Sequence, residues 1–196
     1  INCGCPSARV KKGAFGACLL GNAGLVAECV KAMKANCDIP VTVKHRIGID
    51  DLDSYEFLCQ FIETVAAGGC ETFIVHARKA ILGGLSPKQN REIPPLIYDR
   101  VYQLKQDYPE LEIIINGGIN TLDDAEEHLK HVDGVMVGRA AYQNPWHLNE
   151  VDSRLFGSKD PSTSRREVME KFLPYWRVQA AAGLPLSRIS RHVIGL

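Results

Sequence analysis

Apolar residues along this chain fall into two alternating patterns. Leu25, Val26, Cys29, Val30 and Met33 recur at helical spacing, which predicts a helix over residues 23–36. Ile39-Pro40-Val41-Thr42-Val43-Lys44 reads as a buried strand. Ser54 is an N-cap for a helix over 55–67 that stops at Gly68-Gly69. Thr72-Phe73-Ile74-Val75-His76 is the next strand, followed by a polar loop and a helix over 95–107. Glu112-Ile113-Ile114-Ile115-Asn116 is a strand, Thr121 caps a helix reaching about residue 131, and Gly134-Val135-Met136-Val137 is the last strand. Gly138-Arg139 then opens another helical turn.

Strict strand–helix alternation with short, continuously apolar strands predicts an α/β fold whose parallel strands are covered on both faces. An open doubly wound sheet and a (β/α)8 TIM barrel both fit that pattern. Polar residues gather at successive strand ends: Asn2 and Cys5, Lys44 and Arg46, His76 and Arg78, Asn116, then Gly138 and Arg139. Barrel strands converge on one mouth at those ends, so the barrel is the expected architecture. About five of the eight strands would be present, as the C-terminal portion of the barrel over residues 1–150. After Pro145-Trp146 the pattern changes, and the run 157–164 has linker composition. Ser164 caps a helix over 165–182 and a second helical segment follows Pro185, so 151–196 reads as the start of a helical domain. The chain opens inside a strand and stops in mid-pattern, which reads as a fragment lacking its N-terminal part.

The 23 basic and 23 acidic residues cancel, so global charge predicts no polyanionic partner. A basic rim formed by Arg9, Lys11, Lys12, Arg46, Arg78 and Lys79 would suit RNA, although Asp50, Asp51 and Asp53 lie among these residues and scattered solvated charge is the plainer reading. No apolar run reaches the roughly 20 residues of a membrane helix. Seven cysteines at irregular spacing, with no Cys-x-x-Cys pair, argue against a zinc ribbon or a disulfide framework and fit a reducing compartment. Cys29, Cys37, Cys59 and Cys70 read as buried small hydrophobes.

The chemistry sits at the strand ends. Cys5 lies in a Gly-Cys-Pro turn, where Gly4 allows a tight bend and Pro6 stiffens it. A thiol there can act as nucleophile, metal ligand or acid. Asn116-Gly117-Gly118 and Gly138-Arg139 are strand-to-helix turns that can cradle a phosphate, or simply pack a helix closely. Lys44 can stabilise an anionic ring or be a solvated strand-end lysine, and His76 can be a ligand contact or a structural histidine. Together they favour a phosphorylated cofactor. No metal-ligand spacing and no nucleophile elbow are present, so no metal is expected.

These residues carry a family resemblance across essentially the whole chain. Asn2-Cys3-Gly4-Cys5-Pro6-Ser7, Phe15-Gly16-Ala17-Cys18-Leu19, 41–48 (Val-Thr-Val-Lys-His-Arg-Ile-Gly), 75–80, 84–91, Asn116-Gly117-Gly118-Ile119 and Val137-Gly138-Arg139-Ala140 resemble the tRNA-dihydrouridine synthases. Ser86-Pro87-Lys88-Gln89-Asn90-Arg91 points to the A-type branch, and Arg191-His192 with Gly195-Leu196 resembles the family's C-terminal helical segment. The resemblance implies an FMN-binding barrel that reduces uridine to 5,6-dihydrouridine in the tRNA D-loop, at 20/20a-type positions, with NADPH as reductant. Cys5 would be the proton donor. Lys44 would contact the flavin, and His76, Asn116, Gly117, Gly118, Gly138 and Arg139 its ribityl-phosphate end. Asn2 would lie near the uracil, and Arg46, Arg78 and Lys79 near the RNA backbone. Cys5 is preferred to Cys3, which points to the other face of an extended segment. A monomer is implied, in the cytoplasm, although an organellar address would lie in the missing N-terminus. The competing readings are a barrel flavoenzyme acting on a free pyrimidine and an inactive RNA- or phosphate-binding fragment.

Overall fold

A computed structural model describes residues 1–159 and 163–196. Residues 160–162, within the expected linker, lie outside the described residues. Five parallel strands pair in chain order: β1 (Asn2–Cys3), β2 (Thr42–Arg46), β3 (Thr72–His76), β4 (Glu112–Asn116) and β5 (Gly134–Met136). Each junction is parallel. The connections carry α1 (Ala8–Lys12), α2 (Ala23–Lys34), α3 (Tyr55–Ala67), α4 (Tyr98–Asp107) and α5 (Leu122–Leu129). Among the described residues the strand order follows the chain without reversal.

The chain divides into two compact units. The first comprises Ile1–Gly118 and Glu127–Met136, and the second Ile119–Glu126 and Val137–Leu196. The first holds the sheet. Val43, Phe73 and Ile113 lie level across β2, β3 and β4, as do His45, Val75 and Ile115. All six are fully buried. His45 packs its ring against Phe61 of α3 and Phe73 of β3, so this face of the sheet meets the helices. On α3, Leu58, Phe61, Ile62 and Val65 form one apolar stripe, and the Ser54 hydroxyl accepts from the Phe57 amide at 3.1 Å to cap the helix.

Several boundaries differ from the sequence reading. β2 starts three residues later and ends two residues later than the 39–44 predicted, at Thr42–Arg46. Pro40 lacks an amide for the ladder, and the strand instead continues through three polar residues that mask it. Lys44 is therefore inside the strand, and Arg46 ends it. α4 starts at Tyr98 rather than 95, because the Ile97 amide donates to the Ala77 carbonyl at 2.8 Å and holds the chain extended. The basic first loop contains α1. All seven thiols are free; Cys70 is buried as expected, Cys37 and Cys59 are half-buried, and Cys29 is exposed beside the buried Val26–Val30 line of α2.

In the second unit, α6 (Arg139–Gln143) follows Gly138, and a 3-10 turn (Pro145–Glu150) leads into α7 (Val151–Leu155). α8 (Arg165–Ala181) begins with a reciprocal capping box between Ser164 and Glu167, and α9 (Leu186–Ser190) follows Pro185. Arg154 is ion-paired to Asp123 and Glu126, and the Arg165 guanidinium sits 4.6 Å above the Trp146 ring. Among the described residues, no helix is long and apolar enough to cross a membrane.

Candidate functional site

The sheet face opposite the helices carries the polar side chains expected at the site. Arg46, His76, Asn116 and Met136 lie level across β2 to β5, at the C-terminal edge of the sheet. Two residues earlier, Asn2, Lys44, Ile74, Ile114 and Gly134 form a parallel row. Strand alternation places Lys44, Arg46, His76 and Asn116 on one face because Val43, His45, Val75 and Ile115 occupy the other.

Lys44 bridges the two rows. Its Nζ donates to Asn116 Oδ1 at 2.8 Å, and Asn116 Nδ2 donates onward to the Met136 carbonyl at 2.8 Å. The ammonium makes no ion pair among the described residues. Burial, reinforced by the nearby Arg46 charge, lowers its pKa to about 8. A desolvated cation facing an amide and no carboxylate is prepared for an electron-rich or anionic group.

The turn after β4 closes against the same edge. Gly117 and Gly118 both adopt positive φ, 114° and 72°. A Cβ at Gly117 would stand 2.6 Å from His76 Cδ2, and one at Gly118 would stand 2.8 Å from the Tyr98 hydroxyl. The Tyr98 hydroxyl donates to the Gly117 carbonyl at 2.8 Å. The positive φ favours glycine at both positions, and the side-chain ends of His76, Leu96 and Tyr98 crowd the space a Cβ would take, a constraint that the two-glycine motif alone did not reveal.

The segment after β1 carries Cys5. Asn2 Oδ1 accepts from the amides of Gly4 at 3.0 Å and Cys5 at 3.2 Å, which folds the chain back as an Asx turn. The Cys5 carbonyl accepts from the Ala17 amide at 2.9 Å, and Gly16, at φ 58°, passes so close that a Cβ there would lie 2.8 Å from that carbonyl oxygen. Cys5 is half-buried. Cys3 pairs in register with His45, is fully buried, and has its thiol pushed up to about 11 by burial.

The three basic residues expected at an RNA backbone are engaged within the fold. Arg46 is 2 % exposed, and its guanidinium donates to the carbonyls of Gly4, Lys79 and Asn90, so it presents no cation to solvent. Burial, with Arg78 and Arg91 nearby, lowers its pKa to about 10. Arg78 donates to the carbonyls of Pro94 and Glu92, and Lys79 pairs with Asp53 at 2.9 Å. Loops rich in turned-in carbonyls need donors, and these side chains supply them. Arg9 and Lys12 are exposed.

The 84–91 motif is legible as structure. Ser86 and Gln89 cap each other reciprocally, the Ser86 amide donating to Gln89 Oε1 at 2.9 Å and the Gln89 amide to Ser86 Oγ at 3.2 Å. Asn90, fully buried, accepts from the Ile81 amide and donates to the Ile81 carbonyl, both at 2.8 Å. Sequence reasoning assigned Asn90 no role of its own; a carboxamide in a run of capping residues was the available signal. Gly138 and Arg139 belong to the second unit, where Gly138 precedes α6 and a Cβ on it would meet nothing within 4 Å. No group of three or more His, Cys, Asp and Glu converges among the described residues.

A parallel α/β sheet with a cationic, amide-lined face at its C-terminal edge defines a class of proteins that hold ligands over strand ends. More narrowly, the chain belongs to the dihydrouridine synthase (Dus) family, whose model matches residues 1–196. It is 63 % identical over 196 residues to the tRNA-dihydrouridine(20/20a) synthase of Shewanella oneidensis, 59 % over 197 to that of Vibrio cholerae serotype O1, and 60 % over 197 to that of Escherichia coli K12. Each match takes in all of this chain but only 58 %, 60 % and 57 % of the relative. The chain thus spans about three fifths of the length of these relatives.

Proposed function

We propose that this chain forms part of a flavin-dependent tRNA-dihydrouridine synthase that reduces uridine to 5,6-dihydrouridine at 20/20a-type positions of the tRNA D-loop. The observation that carries this reading is Lys44, a desolvated ammonium without a carboxylate partner that is tethered to Asn116 at the sheet's C-terminal edge. The names of the relatives point the same way. Residues 1–150 are the C-terminal portion of a (β/α)8 barrel, and 151–196 begin a helical domain. The protein works as a cytoplasmic monomer with tRNA as its macromolecular partner.

The residues fit FMN. Lys44 would face the flavin ring, with His76, Asn116, Gly117 and Gly118 toward its ribityl-phosphate end; Gly138 and Arg139, which the family resemblance associates with that end, belong to the second unit. FMN, if bound there and reduced by NADPH, would supply the hydride for C6 of the uracil. Everything else falls to the protein. Cys5 Sγ would hold a proton and deliver it to C5. The Asn2 turn and the Ala17 amide fix the Cys5 backbone. The target base must leave its stack to be reached, so the site receives an extruded nucleotide.

The experiment is a titration of FMN into the full-length protein, followed by its visible spectrum. Saturable binding with a perturbed flavin band that weakens in Lys44→Met is the expected result. A full-length protein that takes up no flavin would overturn the reading.

A further inference from the structure

Arg46 is the basic residue whose observed place departs furthest from a role on RNA. It ends β2, is 2 % exposed, and makes three hydrogen bonds, all to main-chain carbonyls. Nε donates to Gly4 at 2.9 Å, and Nη1 donates to Lys79 at 3.0 Å and Asn90 at 2.9 Å. The Gly4 contact matters most. The Gly4 carbonyl and the Cys5 amide are opposite edges of one planar peptide. Arg46 holds the carbonyl edge, and Asn2 Oδ1 holds the amide edge at 3.2 Å. The next carbonyl, that of Cys5, is held by the Ala17 amide at 2.9 Å. The backbone on both sides of the Cys5 Cα is thus clamped, and the direction of the thiol follows from the clamp.

The same guanidinium reaches the loop after β3. Asn90 is itself locked to both polar groups of Ile81 and follows the Ser86–Gln89 capping box, so Arg46 grips the rigid end of that loop. One planar fork therefore spans two loops that chain order separates by about 75 to 86 residues (Gly4 to Lys79 and Asn90).

We infer that Arg46 is a positioning residue for the Cys5 thiol, coupling the Cys5 turn to the 79–91 loop, and that it is not a contact to the RNA backbone. This rests on the proposed function, in which Cys5 supplies the proton to C5. The covalent step is unchanged: the S–H bond of Cys5 breaks, a C–H bond forms at C5, and the hydride at C6 comes from the reduced flavin. Arg46 neither gains nor loses a proton. A lysine can keep the charge but cannot reach three carbonyls with one planar fork.

The test uses full-length enzyme with FMN, NADPH and unmodified tRNA, comparing wild type, Arg46→Lys and Arg46→Gln. The expected result is a fall in kcat of about 10- to 100-fold in both variants, in line with the sensitivity of catalysis to misplaced groups. The Kd for tRNA should stay within about twofold, and the slope of log Kd against log salt should be unchanged. Hydrogen exchange over residues 1–18 should quicken in both variants. A phosphate contact would give the opposite split: weaker tRNA binding and a salt slope shallower by about 0.7 to 0.9, with kcat preserved. That result, or unchanged kcat in a folded Arg46→Lys, overturns the inference. If the arginine variants do not fold, Asn2→Ala at the exposed side of the same peptide serves instead, and unchanged kcat there equally removes the clamp. A wild type that binds FMN yet makes no dihydrouridine would count against the proposed function and leave Arg46 a structural clamp.

Discussion

The two faces of the sheet treat buried polar groups in opposite ways. On the helix-facing side, His45 is stripped of solvent between Phe61 and Phe73, its Nδ1 paired with the Arg46 carbonyl at 2.9 Å and its Nε2 without a partner. Burial lowers its pKa to about 4, against the opposing effect of that hydrogen bond and with Lys44 adding to the depression. On the other face, one residue before and after, Lys44 and Arg46 stay cationic at neutral pH and direct their donors to Asn116 and to loop carbonyls. The difference teaches that β2 is built to divide labour: its odd positions hold the helices, and its even positions hold the site. Substitutions on one face should then move stability, and on the other chemistry.

The division breaks first at Cys5. In full-length enzyme, Cys5→Ala should lower dihydrouridine formation by about 10²- to 10⁴-fold while thermal stability stays close to wild type. A variant of normal yield takes Cys5 out of the mechanism. On the opposite face, Phe61→Ala should destabilise by about 3–5 kcal/mol in chemical denaturation through the cavity it leaves. Turnover per folded molecule should hold, and a parallel loss of kcat in folded protein would erase the distinction between the faces. Lys44→Met should weaken FMN binding about 10- to 100-fold, the scale of a hydrogen bond to a charged group, with little change in unfolding midpoint. Equal FMN affinity would place the flavin elsewhere.

The smallest effect sharpens the comparison by pH. The pKa of His45 is lower folded than unfolded, so the unfolded chain binds the extra proton. Its stabilising contribution is complete above about 6.5 and is lost as pH falls toward and through about 4. The loss is at most about 1.4 kcal/mol per pH unit in that window. The stabilities of wild type and His45→Phe should therefore keep a constant difference above about pH 6.5, and wild type should lose stability relative to the variant as pH falls from there toward about 4. Identical pH dependence in the two would mean that His45 is not held neutral.

Much of this arrangement was legible in the residues. α3, β3 and β4 occupy the spans predicted for them, because each is an apolar run bounded by strong turn or cap residues such as Ser54 and Gly68-Gly69. β2 was not, because hydrophobicity ends at Val43 while the ladder runs on through Lys44, His45 and Arg46. The sequence pattern put Lys44 and Arg46 together at a strand end. Only the register separates a lysine reaching Asn116 from an arginine turned onto loop carbonyls. Long-range partners of this kind, Arg46 with Gly4 and Asn90, or Tyr98 with Gly117, leave no periodic trace along the chain. The glycines at 117 and 118 were legible as a turn, while the side chains that crowd them were not.

The most direct measurement incubates full-length protein with unmodified tRNA, FMN and NADPH and reads the D-loop by mass spectrometry. A gain of two hydrogens on uridine at the 20/20a positions, dependent on all three components, is the predicted outcome. Unchanged D-loop uridines with a flavin-loaded, tRNA-binding protein would contradict the account.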